Sequence, residues 1–329
     1  MRVTREILLN LAHENTAKFA AKDRGLVCVY LVGSLLRTDE PFLGGVTDID
    51  LVFVHDRPVT SSREIVRINA DVHLDIAHYH QDAFAPARKL RLDPWIGGAL
   101  DMGAVSLHDP DHWFDLMRST AVSQFWAPNN VAARSRSFLS ASRRTWQELQ
   151  DGVIPQGVKR TYAFLDSIRC AANAVASLNG MPLPVRRLFL EFPESALDAG
   201  LPNLTGELIS LFTSDAVTDE SWKHWLNGLD NSFESLKELK SIPPGIHPNR
   251  RNYFVKAISV LAEERPAAAV WILLYVWTSI SAVLPKSGAA FKEWNSFCRQ
   301  LGLDTRSMAQ SLDTIDALLD QVEERIEKI

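Results

Sequence analysis

The 329-residue chain carries 35 basic and 40 acidic residues, which gives a net charge of −5 at pH 7 and a pI near 6.0. This balance argues against broad electrostatic binding of nucleic acid, and the length is sufficient for two domains. The three cysteines, Cys28, Cys170 and Cys298, are an odd number spread along the chain, which predicts reduced thiols in the cytoplasm. The segment Met1–Glu6 lacks the apolar core of a secretion signal, which agrees with that location.

The first predicted element is a short apolar strand that ends in a glycine. Residues 26–32 are rich in β-branched side chains, as is typical of a buried strand. The run stops at Gly33, where a backbone without a Cβ atom lets a ligand come close. Ser34 follows directly and has a hydroxyl and an amide to donate. We therefore expect a ligand-contacting turn at Gly33 and Ser34.

A second strand is predicted at residues 47–54, where acidic and apolar residues alternate before the run becomes wholly apolar. Asp48 and Asp50 point to the same face, because side chains on a strand alternate with a period of two. The two carboxylates can therefore share a metal ion. We expect the strand to be buried beyond Leu51 and exposed at its acidic end.

A third acid fits the same picture. Residues 72–77 alternate as a strand, with Asp75 on the face opposite Leu74 and Ile76. If this strand pairs beside the second strand, three carboxylates converge. Asp71 precedes Asp75 by four residues and would face the same way, so it is the alternative third acid. Asp75 is preferred because it lies between apolar neighbours, well inside the strand.

The chemistry of this cluster points to magnesium. Mg²⁺ prefers oxygen ligands and commonly joins one or two carboxylates to substrate phosphates. Three carboxylates packed together repel one another, so a divalent cation is the expected counter-charge. In nucleotidyl transfer the metal neutralises phosphate charge while a carboxylate takes the proton of the attacking hydroxyl. We expect Asp48 and Asp50 to bind metal, and Asp75 to be the general base or a shared ligand.

These residues resemble a known motif. Gly33 and Ser34, a spacer at residues 35–47, the pair Asp48 and Asp50, and an acid in a later strand resemble the DNA polymerase β-like nucleotidyltransferase superfamily. The chain is most similar to small bacterial members, namely aminoglycoside adenylyltransferases and minimal nucleotidyltransferases. The resemblance covers about the first third of the chain. It implies an α+β fold, in which a mixed sheet flanked by helices binds a nucleoside triphosphate and two Mg²⁺ ions.

The resemblance also implies roles for individual residues. The acids Asp48, Asp50 and Asp75 correspond to the catalytic and metal-binding positions. The remaining positions implied in nucleotide binding are Gly33 and Ser34 at the triphosphate, Thr47 where relatives often place a hydroxyl, and Arg37 where an arginine is frequent. The spacer is at the long end of the family range.

Histidines near the third acid allow another interpretation. His73, His78 and His80 flank Asp75, and a His-x-His pair also occurs in zinc sites. However, no cysteine lies close in sequence, and the carboxylates already explain a metal. We interpret these histidines as structural or solvent-facing.

Beyond about residue 115 the pattern is helical, with segments near 129–151, 158–179, 205–213, 219–240, 250–263, 267–284, 288–301 and 305–327. The sequence thus predicts a nucleotidyltransferase domain at 1–115 and an all-helical domain at 116–329, with a subdivision near 243–245. The uncharged stretch 267–284 is just long enough to span a membrane, but it contains hydroxyl residues and follows Pro266. We expect it to be a buried helix, with no membrane association.

One helix of the second domain carries a polar face. Tyr162, Asp166 and Arg169 have i, i+4, i+7 spacing, and Lys159 and Arg160 lie beside them. These residues are candidates for holding a nucleotide or an acceptor. The alternative is a solvated face or an ion pair.

Two classes of function remain. The first is an enzyme that transfers a nucleoside monophosphate, which we expect to be AMP from ATP, to a hydroxyl of a small molecule or a protein. The second is a non-catalytic module, either a nucleotide-binding regulatory module or an antitoxin-like module that binds a partner. Three intact acids favour the enzyme. The net negative charge of the chain disfavours stable nucleic-acid binding. The amphipathic helix at 305–327 is expected to pack on its own domain, and packing on a second copy in a homodimer is the alternative.

Overall fold

One mixed β-sheet of five strands lies in the first part of the chain, in a computed structural model that describes residues 4–36, 42–214, 219–303 and 307–329. By its internal contacts the chain separates into two units, Met1–Asn130 and Val131–Ile329. All described strands belong to the first unit, and the described elements of the second unit are helical. The predicted α+β class is therefore confirmed. The predicted boundary after residue 115 lies inside a helix of the first unit.

The strands of the sheet follow the order β3-β4-β2-β1-β5. Strands β2 and β4 are parallel, and every other neighbouring pair is antiparallel. The parallel pair arises because the chain leaves β2, forms β3 at the sheet edge and returns along β4. The strand bounds are β1 Leu26–Val32, β2 Ile49–His55, β3 Arg63–Arg67, β4 His73–His80 and β5 Val105–His108.

Each face of the sheet has its own apolar core. Leu31, Leu51 and Ile76 pack on one face against Leu8 of the first helix. Alternate residues such as Val54 pack on the opposite face, against the later helices of this unit. Asp50 and Asp75 follow the alternation of the second face. The helices of this unit are α1 Arg5–Ala20, α2 Ile96–Asp101 and α3 Trp113–Val122, with short 3₁₀ segments at Ser34–Leu36, Gln81–Phe84 and Ala87–Leu92.

The second unit is a set of helices packed around a strongly apolar central helix, α10. Trp271 and Trp277 of this helix are fully buried. The predicted buried helix is confirmed, with its end at Ser281. Among the described residues, no helix combines the length and the apolar character needed to cross a lipid bilayer. The helices from the unit boundary onward are α4 Pro128–Gln150, α5 Val158–Asn179, α6 Leu188–Asp198, α7 Leu204–Ser210, α8 Asp219–Leu236, α9 Arg251–Glu264, α10 Pro266–Ser281, α11 Ala289–Gln300 and α12 Ser307–Glu327.

Of two helices in the second unit, the sequence predicted one, α12, and missed the other, α6. The apolar stripe of α12, which includes Leu312, Ile315 and Leu319, is buried within its own unit. Helix α6 is missing from the helical segments predicted from the sequence, because a proline such as Pro193 usually indicates the end of a helix. The helix forms because Phe189 and other apolar residues of its inner face are buried, and this burial outweighs the lost backbone hydrogen bond.

Glycine packing in the second unit provides a stability test. A Cβ atom on Gly228 of α8 would lie 2.5 Å from the buried ring of Trp277. We therefore expect Gly228→Ala to lower the free energy of unfolding by about 1–2 kcal/mol, because overpacking exceeds the gain in helix propensity. Gly206 of α7 has open space around it, so Gly206→Ala should raise the free energy of unfolding by about 0.5–1 kcal/mol. Urea unfolding of both variants tests this opposite response.

Candidate active site

The three aspartates predicted from the sequence lie together on one face of the sheet. Strands β2 and β4 run parallel with Asp50 directly opposite Asp75. Asp48 is two positions before Asp50, so its side chain projects to the same side. One carboxylate oxygen of each residue lies within 4.8 Å of an oxygen of each of the others. The predicted pairing of these strands and the convergence of the acids are confirmed. Asp71, the alternative third acid, lies in the turn between β3 and β4.

The acidic cluster is more buried than its sequence suggests. Asp48 is 2% exposed and Asp75 is 5% exposed, whereas Asp50 is half-buried. The expectation of an exposed acidic end is therefore wrong for Asp48. The reason is that the chain entering β2 is packed inside the unit, with Val46 and Thr47 also buried. The cluster is consequently reached from solvent beside Asp50.

A glycine turn lies directly against this cluster. Gly33 follows β1 with a φ of +82°, a conformation that side chains other than glycine rarely adopt. A Cβ atom at this position would lie 2.0 Å from Oδ2 of Asp50. Two constraints therefore require glycine at this position, namely the positive φ of its backbone and the Asp50 carboxylate that lies beside it.

The predicted hydroxyl residues also meet at this turn. The Ser34 and Thr47 hydroxyls lie 2.8 Å apart and share a hydrogen bond. Ser34 is half-buried and begins the 3₁₀ segment after Gly33, while Thr47 immediately precedes Asp48. The turn, the hydroxyl pair and the acids are thus neighbours in space. Arg37, the fourth predicted nucleotide contact, lies outside the described residues.

Sequence reasoning missed one charged residue of the cluster, Arg63 of β3. Its Nε donates to Oδ1 of Asp75 at 2.6 Å, and its Nη2 donates to Oδ2 at 2.5 Å. These hydrogen bonds and the neighbouring carboxylates raise the pKa of Arg63, although burial opposes the shift. The only signal for this strand was a pair of β-branched residues, Ile65 and Val66, too short a run for a prediction. Arg63 supplies positive charge at the third acid.

The donor set fits a hard divalent cation. The three acids offer only carboxylate oxygens, which Mg²⁺ prefers, and they are close enough to surround one ion. The Asp50 carboxylate occupies the space that a Cβ atom on Gly33 would need, so the glycine lets this ligand lie directly against the turn. Asp48, Asp50 and Asp75 are therefore the residues that would hold the cation.

A second group with metal-ligand chemistry is found in the described residues, at Asp109, His112 and Asp115. It is more exposed than the first group. The two carboxylate oxygens of Asp109 accept from the backbone amides of Trp113 and Phe114, at the start of α3. This arrangement is a helix cap, and its local role accounts for Asp109.

The predicted polar face of α5 is only partly available to a ligand. Asp166 and Arg169 form an ion pair with each other, with an oxygen–nitrogen distance of 2.7 Å. The hydroxyl of Tyr162 lies 3.3 Å from that of Tyr275 on α10, a residue that the sequence did not indicate. Arg160 is buried, whereas Lys159 is exposed. Asp166 and Arg169 thus form the ion pair that was the alternative to ligand binding. Binding of a nucleotide or an acceptor by this face of α5 stays a prediction.

The histidines near the third acid take structural positions. Nε2 of His73 lies 3.8 Å from Oδ2 of Asp48, with both side chains buried. His78 instead faces the other side of β4, where its Nδ1 is 3.0 Å from Nε2 of His55. The outer nitrogens of this pair lie 3.6 Å from Asp23 and 3.7 Å from Glu64. His55 and His78 thus form a hydrogen-bonded pair on the face of the sheet opposite the aspartate cluster.

Comparison with models of known protein families and with curated proteins found no match for this chain. The candidate site is therefore defined by its own geometry. Its parts are Asp50 and Asp75 on two parallel strands, Asp48 directly before the first of them, a glycine turn against Asp50, and an arginine from the edge strand.

The Gly33 turn gives a test of this geometry. Gly33→Ala should shift the Asp50 carboxylate and weaken divalent-cation binding at least about tenfold, because the new Cβ atom meets Oδ2. Gly45→Ala is the matched control, since Gly45 also has a positive φ but has open space around it. Both variants should lose about 1–2 kcal/mol of stability from backbone strain. Calorimetric titration with Mg²⁺ measures the difference, and equal binding in the two variants would contradict the assignment.

The histidine pair predicts a pH dependence of stability. Burial lowers the pKa of His55 and of His78. The positive charges of protonated His78 and of Arg57 lower the pKa of His55 further. The negative charges of Asp23 and Glu64 oppose these shifts. The unfolded chain therefore takes up protons first, and stability falls as the pH drops below about 6.5.

We expect His78→Gln to flatten this acid-side loss, measured as the free energy of urea unfolding between neutral and mildly acidic pH. His13→Gln, a change at an exposed residue of α1, is the control and should retain the slope of the original chain. Identical slopes in all three proteins would show that the pair does not control this titration.

Proposed function

We propose that this protein is a Mg²⁺-dependent nucleotidyltransferase with a DNA polymerase β-like first unit. It transfers a nucleoside monophosphate, AMP from ATP, to a hydroxyl of a small molecule or a protein and releases pyrophosphate. The observation that carries the proposal is the approach of the Gly33 turn to Asp50, which belongs to a cluster of three acids at two neighbouring parallel strands. The sheet order, with β1 antiparallel to β2 and β4 parallel to it, is compatible with such a domain.

The residues of the turn are suited to holding the triphosphate. Gly33 has no side chain, so phosphate oxygens can approach its backbone. The half-buried Ser34 has a hydroxyl that can donate to those oxygens while it accepts the hydrogen bond of the buried Thr47 hydroxyl. Because the turn contacts Asp50, a triphosphate on it would lie beside the acids.

The acids would then act on the reacting groups. Asp48 and Asp50, with Asp75, would hold Mg²⁺, which when bound neutralises phosphate charge and stabilises the leaving pyrophosphate. The acceptor oxygen forms a bond to the α-phosphorus as the bond to the pyrophosphate oxygen breaks. The hydroxyl proton passes to Asp75. In the structure, Arg63 donates two hydrogen bonds to the carboxylate of Asp75.

The enzyme is favoured over the regulatory module because of the electrostatic cost of the cluster. Three carboxylates lie within 4.8 Å of one another and two of them are buried, so their repulsion opposes folding, and the guanidinium of Arg63 offsets it at Asp75. A module that only binds a partner has no need of this arrangement.

Calorimetric titration with each of the four ribonucleoside triphosphates, with and without Mg²⁺, tests the proposal. We expect Mg²⁺-dependent binding of ATP that is lost in Asp50→Asn. The same change should leave the fold intact, because asparagine has nearly the shape of aspartate and the change also removes one of three repelling charges. Asp82→Asn, at an exposed acid of the same unit, should leave nucleotide binding unchanged.

The transfer reaction is then measured as pyrophosphate release with hydroxyl-bearing acceptors. Nucleotide binding that persists in both Asp48→Asn and Asp50→Asn would contradict the metal assignment. Absence of binding for all four nucleotides would instead favour the antitoxin-like module that binds a partner.

A further inference from the structure

The contact between Arg63 and Asp75 joins a buried acid to a partly exposed cation. The side chain of Asp75 is 4% exposed, whereas that of Arg63 is 43% exposed. Two parallel hydrogen bonds connect the guanidinium to the two carboxylate oxygens. Arg63 belongs to β3, the edge strand beside β4, so its side chain reaches Asp75 from the open margin of the sheet.

This contact competes with a divalent cation. Cation binding by all three acids requires an oxygen of Asp75, whose charge is already balanced by the guanidinium. A cation placed there is also repelled by Arg63, and charges about 4 Å apart interact strongly at a partly buried site. Full engagement of Asp75 by the cation is therefore opposed as long as Arg63 stays in place.

We propose that Arg63 is a displaceable counter-ion of Asp75, which moves to a phosphate oxygen of the nucleoside triphosphate when Asp75 turns to the divalent cation. This inference rests on the proposed function. The guanidinium fork that matches a carboxylate also matches a phosphate. Because much of the Arg63 side chain is exposed, it can change partner without leaving a cavity. Arg63 is then a positioning residue for Asp75 in one state and a substrate ligand in the other.

A permanent structural ion pair makes the opposite prediction. In that case, loss of Arg63 would leave a buried carboxylate without its cation and distort the cluster. Divalent-cation affinity would fall or stay the same. For a displaceable counter-ion, the affinity rises because a competitor is removed. The sign of the change separates the two roles.

The experiment is a Mn²⁺ titration of the full chain, followed through the paramagnetic resonance signal of free Mn²⁺. We expect Arg63→Gln to bind Mn²⁺ at least about tenfold more tightly than the original chain. Arg67→Gln is the matched control: it removes the same charge from the same strand, at an exposed residue whose Nε donates to the carbonyl of Asn69. Its affinity should stay within about twofold of the original. Arg63→Lys, which keeps the charge but loses the fork, should lie between.

A second titration, with a non-hydrolysable ATP analogue at saturating Mn²⁺, tests the move to phosphate. Arg63→Gln should weaken analogue binding about tenfold, while Arg67→Gln should not. Unchanged analogue affinity in Arg63→Gln would overturn the phosphate role of Arg63.

The outcomes separate this inference from the proposed function. If the original chain binds Mn²⁺ and Arg63→Gln binds it equally or more weakly, the counter-ion role is overturned and the proposed function is unaffected. If neither protein binds Mn²⁺, both are overturned. If Arg63→Gln fails to fold, Arg63→Lys decides: tighter Mn²⁺ binding than in the original chain supports the inference, and equal or weaker binding overturns it.

Discussion

Repulsion among three carboxylates is the constraint on which the architecture of the first unit depends. At an effective dielectric constant near 20, the repulsion between two like unit charges roughly 4 to 5 Å apart is on the order of 3 kcal/mol. The repulsion is weaker for pairs that include the partly exposed Asp50. The three pairs together approach the whole net stability of a typical domain, on the order of 5–15 kcal/mol. Such a cluster persists only if positive charge is supplied beside it. Arg63 supplies part of that charge through two hydrogen bonds to Asp75.

The connection between β2 and β4 creates both the cluster and its counter-charge. Parallel neighbours cannot be joined by a tight turn, so the chain must travel away and return. Here it does so through β3, which pairs with β4 on the side away from β2. The same excursion that places Asp50 opposite Asp75 therefore carries Arg63 to the edge of the site. Gly33 completes the arrangement from β1, on the other side of β2.

The sequence was sufficient for the parts of this site that have a strong period or an unusual residue type. The apolar runs of β1 and β2, the glycine after β1 and the alternation around Asp75 all predicted their elements. Strand β3 was not predictable, because a short polar edge strand has little apolar surface to mark it. Helix α6 was missed because Pro193 signals a break, whereas burial of Phe189 decides the outcome. The burial of Asp48 could not be read from alternation, since it depends on how the preceding loop packs.

Arg63 also changes how the chemistry at Asp75 is understood. The guanidinium fork fixes the direction of the Asp75 carboxylate through two hydrogen bonds. A fixed carboxylate suits the proposed phosphoryl-type transfer, in which positioning and charge stabilisation supply most of the rate. The acid contributes chiefly its negative charge and its fixed direction in such a reaction. If Arg63 leaves Asp75 when a triphosphate and a divalent cation bind, the cation takes over as the positive charge beside Asp75, so the buried carboxylate is never left without a counter-charge.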